Sequence, residues 1–381
     1  MRDAVIVEAV RTPVGKRKGG LSEVQPADLS AHVLKAAAER SGIDPAIVED
    51  VIWGCVGQVG EQAIDIARNA VLGAGWPESV PGVTVDRQCG SSQQAVSFAA
   101  ASVIAGHYDV VVAGGVESMS RVPMGMSVAG QWPFGEGFRA RYNGIAPNQG
   151  LGAEMIVERW GFSRTQLDEF SLGSHAKAAA AQDEGRFAAE IAPVTSPSGT
   201  KVEADEGIRR GSTLEALGAL KPAFKPDGTI TAANSSQISD GAAALLITTS
   251  EKAAELGLTP IVRIHTAVVT GDDPVIMLTG PIPATALALK RSGLSVDDIG
   301  AFEVNEAFAP VPLAWLKETG ADPARLNPNG GAIALGHPLG GSGARIMTTL
   351  VHHMRATGTR YGLQTMCEGG GQANATILEL L

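Results

Sequence analysis

Two rhythms of apolar and polar positions run along this chain, and both come round twice. A helix-like run from Asp28 to Arg40 stops at Ser41-Gly42-Ile43, and after an acidic turn the apolar run Val51-Ile52-Trp53 reads as a strand. The second half repeats the succession: Ala284 to Arg291, then Ser292-Gly293-Leu294, then Asp297-Asp298, then the apolar run Ala301 to Val304. Further on, Gly90-Ser91-Ser92 opens a small-residue helix that stops near Gly106, and the strand Asp109 to Ala113 ends in Gly114-Gly115. Its counterpart is a helix opened by Gly341-Ser342-Gly343 and running to about Met354, followed by a strand Gly362 to Met366 that ends at Cys367 and its glycines. A duplicated α/β unit with parallel strands and crossover helices accounts for this order. Between the halves, Ser118 to Ser239 has a different texture, mixing Pro, Gly and charge around an amphipathic helix from Thr165 to Asp183. Ala242 to Thr248 returns as a strand of the first half. The expected division is 1–117 plus 240–258 as one core half, 118–239 as an insertion, and 259–381 as the other half.

Composition narrows the function classes. With 381 residues and 44% hydrophobic, the chain can bury a sizeable core. Its 47 glycines and 4% aromatics predict tight turns and close backbone packing. A net charge of −10 argues against a general nucleic-acid surface, although Lys201, Arg209, Arg210, Lys221 and Lys225 make the insertion locally basic. Three scattered cysteines give neither a disulfide framework nor a metal knuckle, which fits a reducing compartment. No segment approaches the roughly 18–20 apolar residues of a membrane span. Met1 to Val10 reads as a strand, not a leader, and a cytoplasmic protein is expected.

Three glycine-rich segments each carry one reactive side chain: Cys89 in Gln88-Cys89-Gly90, His337 in Gly336-His337-Pro338, and Cys367 in Met366-Cys367-Glu368-Gly369-Gly370-Gly371. Glycine beside a reactive group lets backbone N–H groups and substrate approach. Cys89 stands where a helix begins, a position that lowers a thiol pKa, though a cysteine there also reads as an inert core residue. His337 can take the proton of Cys89, and the glycines after Cys367 can line an oxyanion site. Asn305, in Phe302-Glu303-Val304-Asn305-Glu306-Ala307-Phe308, reads either as a helix cap or as an amide that orients a water or the histidine, with Glu306 buried beside it. Cys55 has no such surroundings and reads as core.

Gly114-Gly115-Val116-Glu117-Ser118-Met119-Ser120, Asn305-Glu306-Ala307-Phe308, Gly330-Gly331-Ala332-Ile333-Ala334-Leu335-Gly336-His337-Pro338 and Cys367-Glu368-Gly369-Gly370-Gly371 stand in this order. In these segments, and from end to end, the chain resembles the thiolases. The resemblance implies a duplicated five-layered αβαβα core with a loop domain inserted on the CoA-binding side. It implies Cys89 as the acyl-carrying nucleophile, His337 as its base and Cys367 as the acid/base at the acetyl α-carbon. Asn305 would hold a water that joins His337 in one oxyanion hole, and the N–H groups of Cys89 and Gly369 would form the other. Ser236 matches the serine that contacts the pantetheine arm of CoA, and Arg209 matches an arginine near the nucleotide end. No cofactor or metal is implied, since CoA and acyl-CoA enter as substrates, and a homodimer or homotetramer is expected.

Four departures surround the acyl pocket: Asp86, Ser92, Gln372-Ala373, and Asn148 where short-chain biosynthetic members carry a histidine. The run Arg87 to Gln94 looks most like degradative thiolases that act on bulky acyl-CoAs, including steroid-ring fragments. The expected reaction is thiolysis of a 3-ketoacyl-CoA to acetyl-CoA and a shortened acyl-CoA. The runner-up is a short-chain acetyl-CoA acetyltransferase that makes or cleaves acetoacetyl-CoA. Cys367 before Gly369 argues against a decarboxylating ketoacyl synthase, which pairs one Cys with two His or with His and Asn. The presence of all three reactive side chains argues against a non-catalytic CoA- or lipid-binding relative.

Overall fold

The computed structural model describes residues 2–381. Strands β1 (Val5–Arg11) and β2 (Gly15–Lys16) lead into helix α1 (Pro26–Ser41), strand β3 (Asp50–Gly54), helix α2 (Ile66–Gly73), strand β4 (Val83–Val85), helix α3 (Ser91–Ala105) and strand β5 (Val110–Ser118). Helices α4 (Glu136–Arg141), α5 (Gln149–Trp160) and α6 (Arg164–Asp183), the pair β6 (Val194–Thr195) and β7 (Lys201–Val202), and α7 (Leu214–Gly218) come next. Strand β8 (Ser239–Thr248) rejoins the sheet, and α8 (Ser250–Glu255) leaves it. The remaining elements are β9 (Val262–Gly271), α9 (Pro281–Ser292), β10 (Ala301–Val304), α10 (Pro310–Thr319), α11 (Ala332–Leu335), α12 (Leu339–Thr357), β11 (Tyr361–Glu368) and β12 (Gln372–Leu380).

The strands repeat one topology. In the first half the order is β4-β3-β5-β8-β1, parallel from β4 to β5 and antiparallel from β5 to β1. In the second, β10-β11-β12-β9 are likewise parallel and then antiparallel. A single parallel bridge, Phe302 to Leu326, stands where β3 pairs with β4. Two residue pairs, Val5 with Arg263 and Ile6 with Val262, join β1 to β9 and make one sheet of both halves.

Helices α1 and α2 cover the outer face of the first half, α9 and α10 that of the second, and α3 and α12 pack together between them. That is the five-layered arrangement. Every residue of α12 from Leu339 to Val351 is buried, which suits a central helix. Local chemistry sets the helix ends. Gln25 caps α1 through the amides of Ala27 and Asp28, Gly42 ends it in the left-handed region, and Ser163 with Gln166 forms a capping box on α6. The α3–α12 crossing depends on Gly343, where a Cβ would come within 2.3 Å of the Gln93 nitrogen.

One boundary differs from expectation. The strand expected to end at Gly114-Gly115 runs on to Ser118, because both glycines stay in register with Ala244 and Ala243 of β8. A Cβ on Gly114 would stand 2.1 Å from the Ala243 carbonyl oxygen, so glycine here permits close pairing and does not break the strand. Among the described residues no helix is long and apolar enough to cross a membrane.

Candidate active site

The reactive side chains gather where the parallel strands end and the two central helices begin. After β4, Asp86 Oδ1 accepts the Gln88 amide at 2.6 Å, and Gln88 takes a left-handed φ of 48°. A non-glycine residue held there is strained, and such strain concentrates at functional turns. Cys89 follows, with Gly90 as the N-cap of α3. Its thiol is buried, and burial together with the neighbouring Glu368 pushes it up to about 12. The amides of Cys89 and Gly369 act the other way. This reverses the expectation that the helix start would lower the pKa: loss of solvent outweighs the helix end.

His337 stands just before α12, reached through Gly336 at φ 105°. Its Nδ1 lies 2.6 Å from Ser342 Oγ, whose own proton is donated to the Pro338 carbonyl at 2.8 Å. Ser342 must therefore accept from Nδ1–H, which leaves Nε2 without a proton and able to accept one. Burial and then Arg345 lower His337 to about 3, so the imidazole is neutral at rest. Asn305 Nδ2 lies 3.4 Å from Nε2. Asn305 caps no helix, since α10 begins only at Pro310; its amide accompanies the histidine. Glu306 is buried beside it, holding Ser174, Asn327 and the Ile333 amide.

Cys367 closes the group near the end of β11. Burial raises its thiol far above the usual range, and Cys89 and Glu368 add to the effect, so the two thiols lie within each other's field. Gly370 and Gly371, at φ 81° and 73°, turn the chain back into β12 and leave the Gly369 amide facing Cys89.

Two cavities meet here. One of about 420 Å³ is lined by His337, Ser236, Asn148, Phe224 and Phe308. The other, about 560 Å³, is lined by Cys89, Gly369, Gln88, Met277 and Phe134. They share Met124, Gly125, Pro147, Gln149 and Leu339. Cys367 belongs to the same apolar cluster as Met277 of one cavity and Phe308 of the other.

The N-terminal domain model of the thiolases matches residues 4–251, and the C-terminal domain model matches residues 258–380. The chain belongs to the thiolase family. A steroid 3-ketoacyl-CoA thiolase, FadA6, of Mycobacterium tuberculosis is 51% identical over all of this chain and 95% of its own length. The 3-ketoacyl-CoA thiolases of Aliivibrio salmonicida and Erwinia tasmaniensis are each 48% identical, with both chains covered in full.

In this thiolase the structure brings together Cys89, His337, Cys367, Asn305 and Gly369, and sets Ser236 in the wall of the adjoining cavity. Arg209 is exposed and lines neither cavity. The locally basic insertion is smaller than the sequence suggests. Lys201, Arg210 and Lys225 pair with Glu203, Asp183 and Glu158, leaving Arg209 and Lys221 without an ion pair among the described residues. Asn148 has a second duty as the N-cap of α5, accepting the Leu151 amide at 3.1 Å.

Sequence reasoning missed two residues of this thiolase's site. Ser342 fixes the tautomer of His337, and its signal was its place in the first turn of the helix behind the histidine. Glu117, at the end of β5, accepts the amides of Val56, Gly57 and Gly340 at 2.9–3.0 Å and the Gln62 side chain at 2.6 Å. It thereby ties the His337 loop to the first half. It stands in the segment Gly114 to Ser120, but nothing local gives it this role, because its partners lie up to 223 residues away.

Proposed function

We propose that this thiolase cleaves a 3-ketoacyl-CoA with CoA, releasing acetyl-CoA and a shortened acyl-CoA. The observation that carries this reading is two buried thiols, Cys89 and Cys367, within each other's field, with a histidine, its tautomer fixed by Ser342, in the wall of the adjoining cavity. Cys89 sulfur attacks the 3-keto carbon while His337 Nε2 takes the thiol proton. The oxyanion so formed is met by the N–H groups of Cys89 and Gly369. The C2–C3 bond then breaks, and C2 takes the proton of Cys367 to leave as acetyl-CoA. The thiol of free CoA gives its proton to the Cys367 thiolate and attacks the Cys89 thioester. The shortened acyl-CoA departs, and the Cys89 thiolate recovers its proton from His337. Because burial keeps the resting thiol and imidazole neutral, proton transfer and carbon attack must advance together. His337 and Asn305 hold the thioester oxygen of the departing acetyl-CoA, through a water on the Asn305 amide. The cavity carrying Ser236 takes the pantetheine arm, with Arg209 toward the nucleotide.

The acyl group occupies the cavity on the Cys89 side. Its volume of about 560 Å³ lies within the roughly 300–1,000 Å³ that suits a drug-sized molecule, and a methyl group would fill little of it. The preferred substrate is therefore larger than acetoacetyl-CoA. A panel of 3-ketoacyl-CoAs, from acetoacetyl to long-chain and ring-bearing, tests this through kcat/KM. Larger members are expected to exceed acetoacetyl-CoA by more than about tenfold. A clear preference for acetoacetyl-CoA would leave a short-chain acetyl-CoA acetyltransferase instead.

A further inference from the structure

Glu368 is a buried carboxyl beside both thiols, and the steps above give it no part. It is fully buried, and among the described residues neither oxygen has a hydrogen-bond partner. Two buried carboxylates nearby are well supplied: Glu117 accepts four N–H groups, and Glu306 has three donors. An ionised carboxylate is a poor occupant of such a place, whereas a carboxylic acid needs only an acceptor for its proton.

Asn374 is its neighbour: a Cβ on Gly90 would lie 1.9 Å from Glu368 Oε1 and 2.7 Å from Asn374 Nδ2, so both side chains stand over the same Gly90 α-carbon. Asn374 Nδ2 donates to the Gly90 carbonyl at 3.1 Å, while its Oδ1 has no partner. A proton on Glu368 would supply the donor that Asn374 Oδ1 lacks. The charged groups that Glu368 feels are Arg87 and Asp86 on the Cys89 turn. The Arg87 guanidinium is turned to Gln372 Oε1 at 2.9 Å and makes no hydrogen bond to Glu368. The thiols of Cys89 and, on its own strand, Cys367 both respond to its charge.

We infer that Glu368 is a positioning residue that works as a neutral acid, clamping the Cys89 turn through Asn374, and that losing its proton slows the enzyme at alkaline pH. Ionisation would put a negative charge beside two sulfurs that must each become anionic during turnover. The pH range follows from the neighbours. Cys89 is pushed up to about 12, His337 lowered to about 3, and Cys367 raised further still, whereas burial brings Glu368 to about 8. It is the one of the four that titrates just above neutrality.

This rests on the thiolase reading of the two thiols, and its test has one arm that does not. In the first arm, kcat/KM for a 3-ketoacyl-CoA is followed from pH 6 to 10 in the parent and in Glu368→Gln. The ratio of the pH 9 value to the pH 7 value should be about tenfold higher in the variant, because one pH unit above its pKa a carboxyl is about nine-tenths ionised. In the second arm, alkylation of Cys89 by iodoacetamide is measured by peptide mass over the same range. In the parent the logarithm of the rate should rise with pH at less than unit slope around pH 8; in Glu368→Gln the slope should stay near one. A bend in alkylation without any turnover would sink the thiolase reading and leave the Glu368 inference standing. Superimposable profiles in both arms would overturn the inference. So would a parent alkylation curve of unit slope throughout, a result that does not require the variant to fold.

Discussion

Burial and helix-end electrostatics compete at Cys89, and burial wins. Two amides face the sulfur, yet removal from water and the Glu368 carboxyl raise the thiol instead of lowering it. In the proposed reaction Cys89 therefore depends on His337 at the moment of attack, which gives weight to the residue that holds His337 in one tautomer. Ser342→Ala removes the acceptor of the His337 Nδ1 proton and lets the ring turn or tautomerise. We predict a fall in kcat of roughly 10- to 100-fold with KM little changed, as expected when an orienting hydrogen bond is lost. Steady-state kinetics check it, and a change confined to KM would contradict the tautomer argument. The glycine surroundings singled out Cys89, His337 and Cys367, which the structure gathers at one end of the sheet. They did not single out Ser342, because its role depends on where its hydroxyl proton goes.

At the scale of elements, Glu117 joins the two halves at the site. Its carboxylate carries the amide of Gly340, one turn from His337, together with the loop after β3. Gly340 cannot retreat: a Cβ there would stand 2.6 Å from both Cys55 Cα and the Val116 carbonyl oxygen. In Glu117→Ala the buried Gly340 amide and the half-buried amides of Val56 and Gly57 lose their acceptor. At about 1–3 kcal/mol for the buried amide and less for the other two, stability should fall by at least about 1 kcal/mol, read as an earlier midpoint in urea. Unchanged stability would show that those amides find other partners. The elements themselves were largely legible. The strand Ala301–Val304 coincides with its apolar run, and α6 begins one residue before the expected Thr165. The miss at Gly114-Gly115 is physical, since glycine reads as a strand breaker until its partner strand is known.

Across the whole molecule the duplication explains why the site forms. Cys89 and His337 hold equivalent places, each just ahead of a central helix, and Cys55 and Asn305 each follow the equivalent strands β3 and β10. One copy thus contributes Cys89, the proposed nucleophile, and the other His337, Asn305 and Cys367. The order of elements was visible in the sequence as a repeat. The way one half faces the other was not, because the β1–β9 pairing and the α3–α12 packing involve residues far apart in the chain.

The central claim is that the two thiols divide the work, Cys89 carrying the acyl group and Cys367 handling the α-proton. Intact-protein mass, taken after mixing with either an acyl-CoA or a 3-ketoacyl-CoA, tests it most directly. The parent should gain the acyl mass from both, and Cys89→Ala from neither. Cys367→Ala should still be acylated by acyl-CoA. From the 3-ketoacyl-CoA it should acylate at least about 100-fold more slowly than the parent, since that route must break a C–C bond and protonate the carbon. An adduct that persists in Cys89→Ala, or a Cys367→Ala protein that loses both routes equally while folded, would contradict the account.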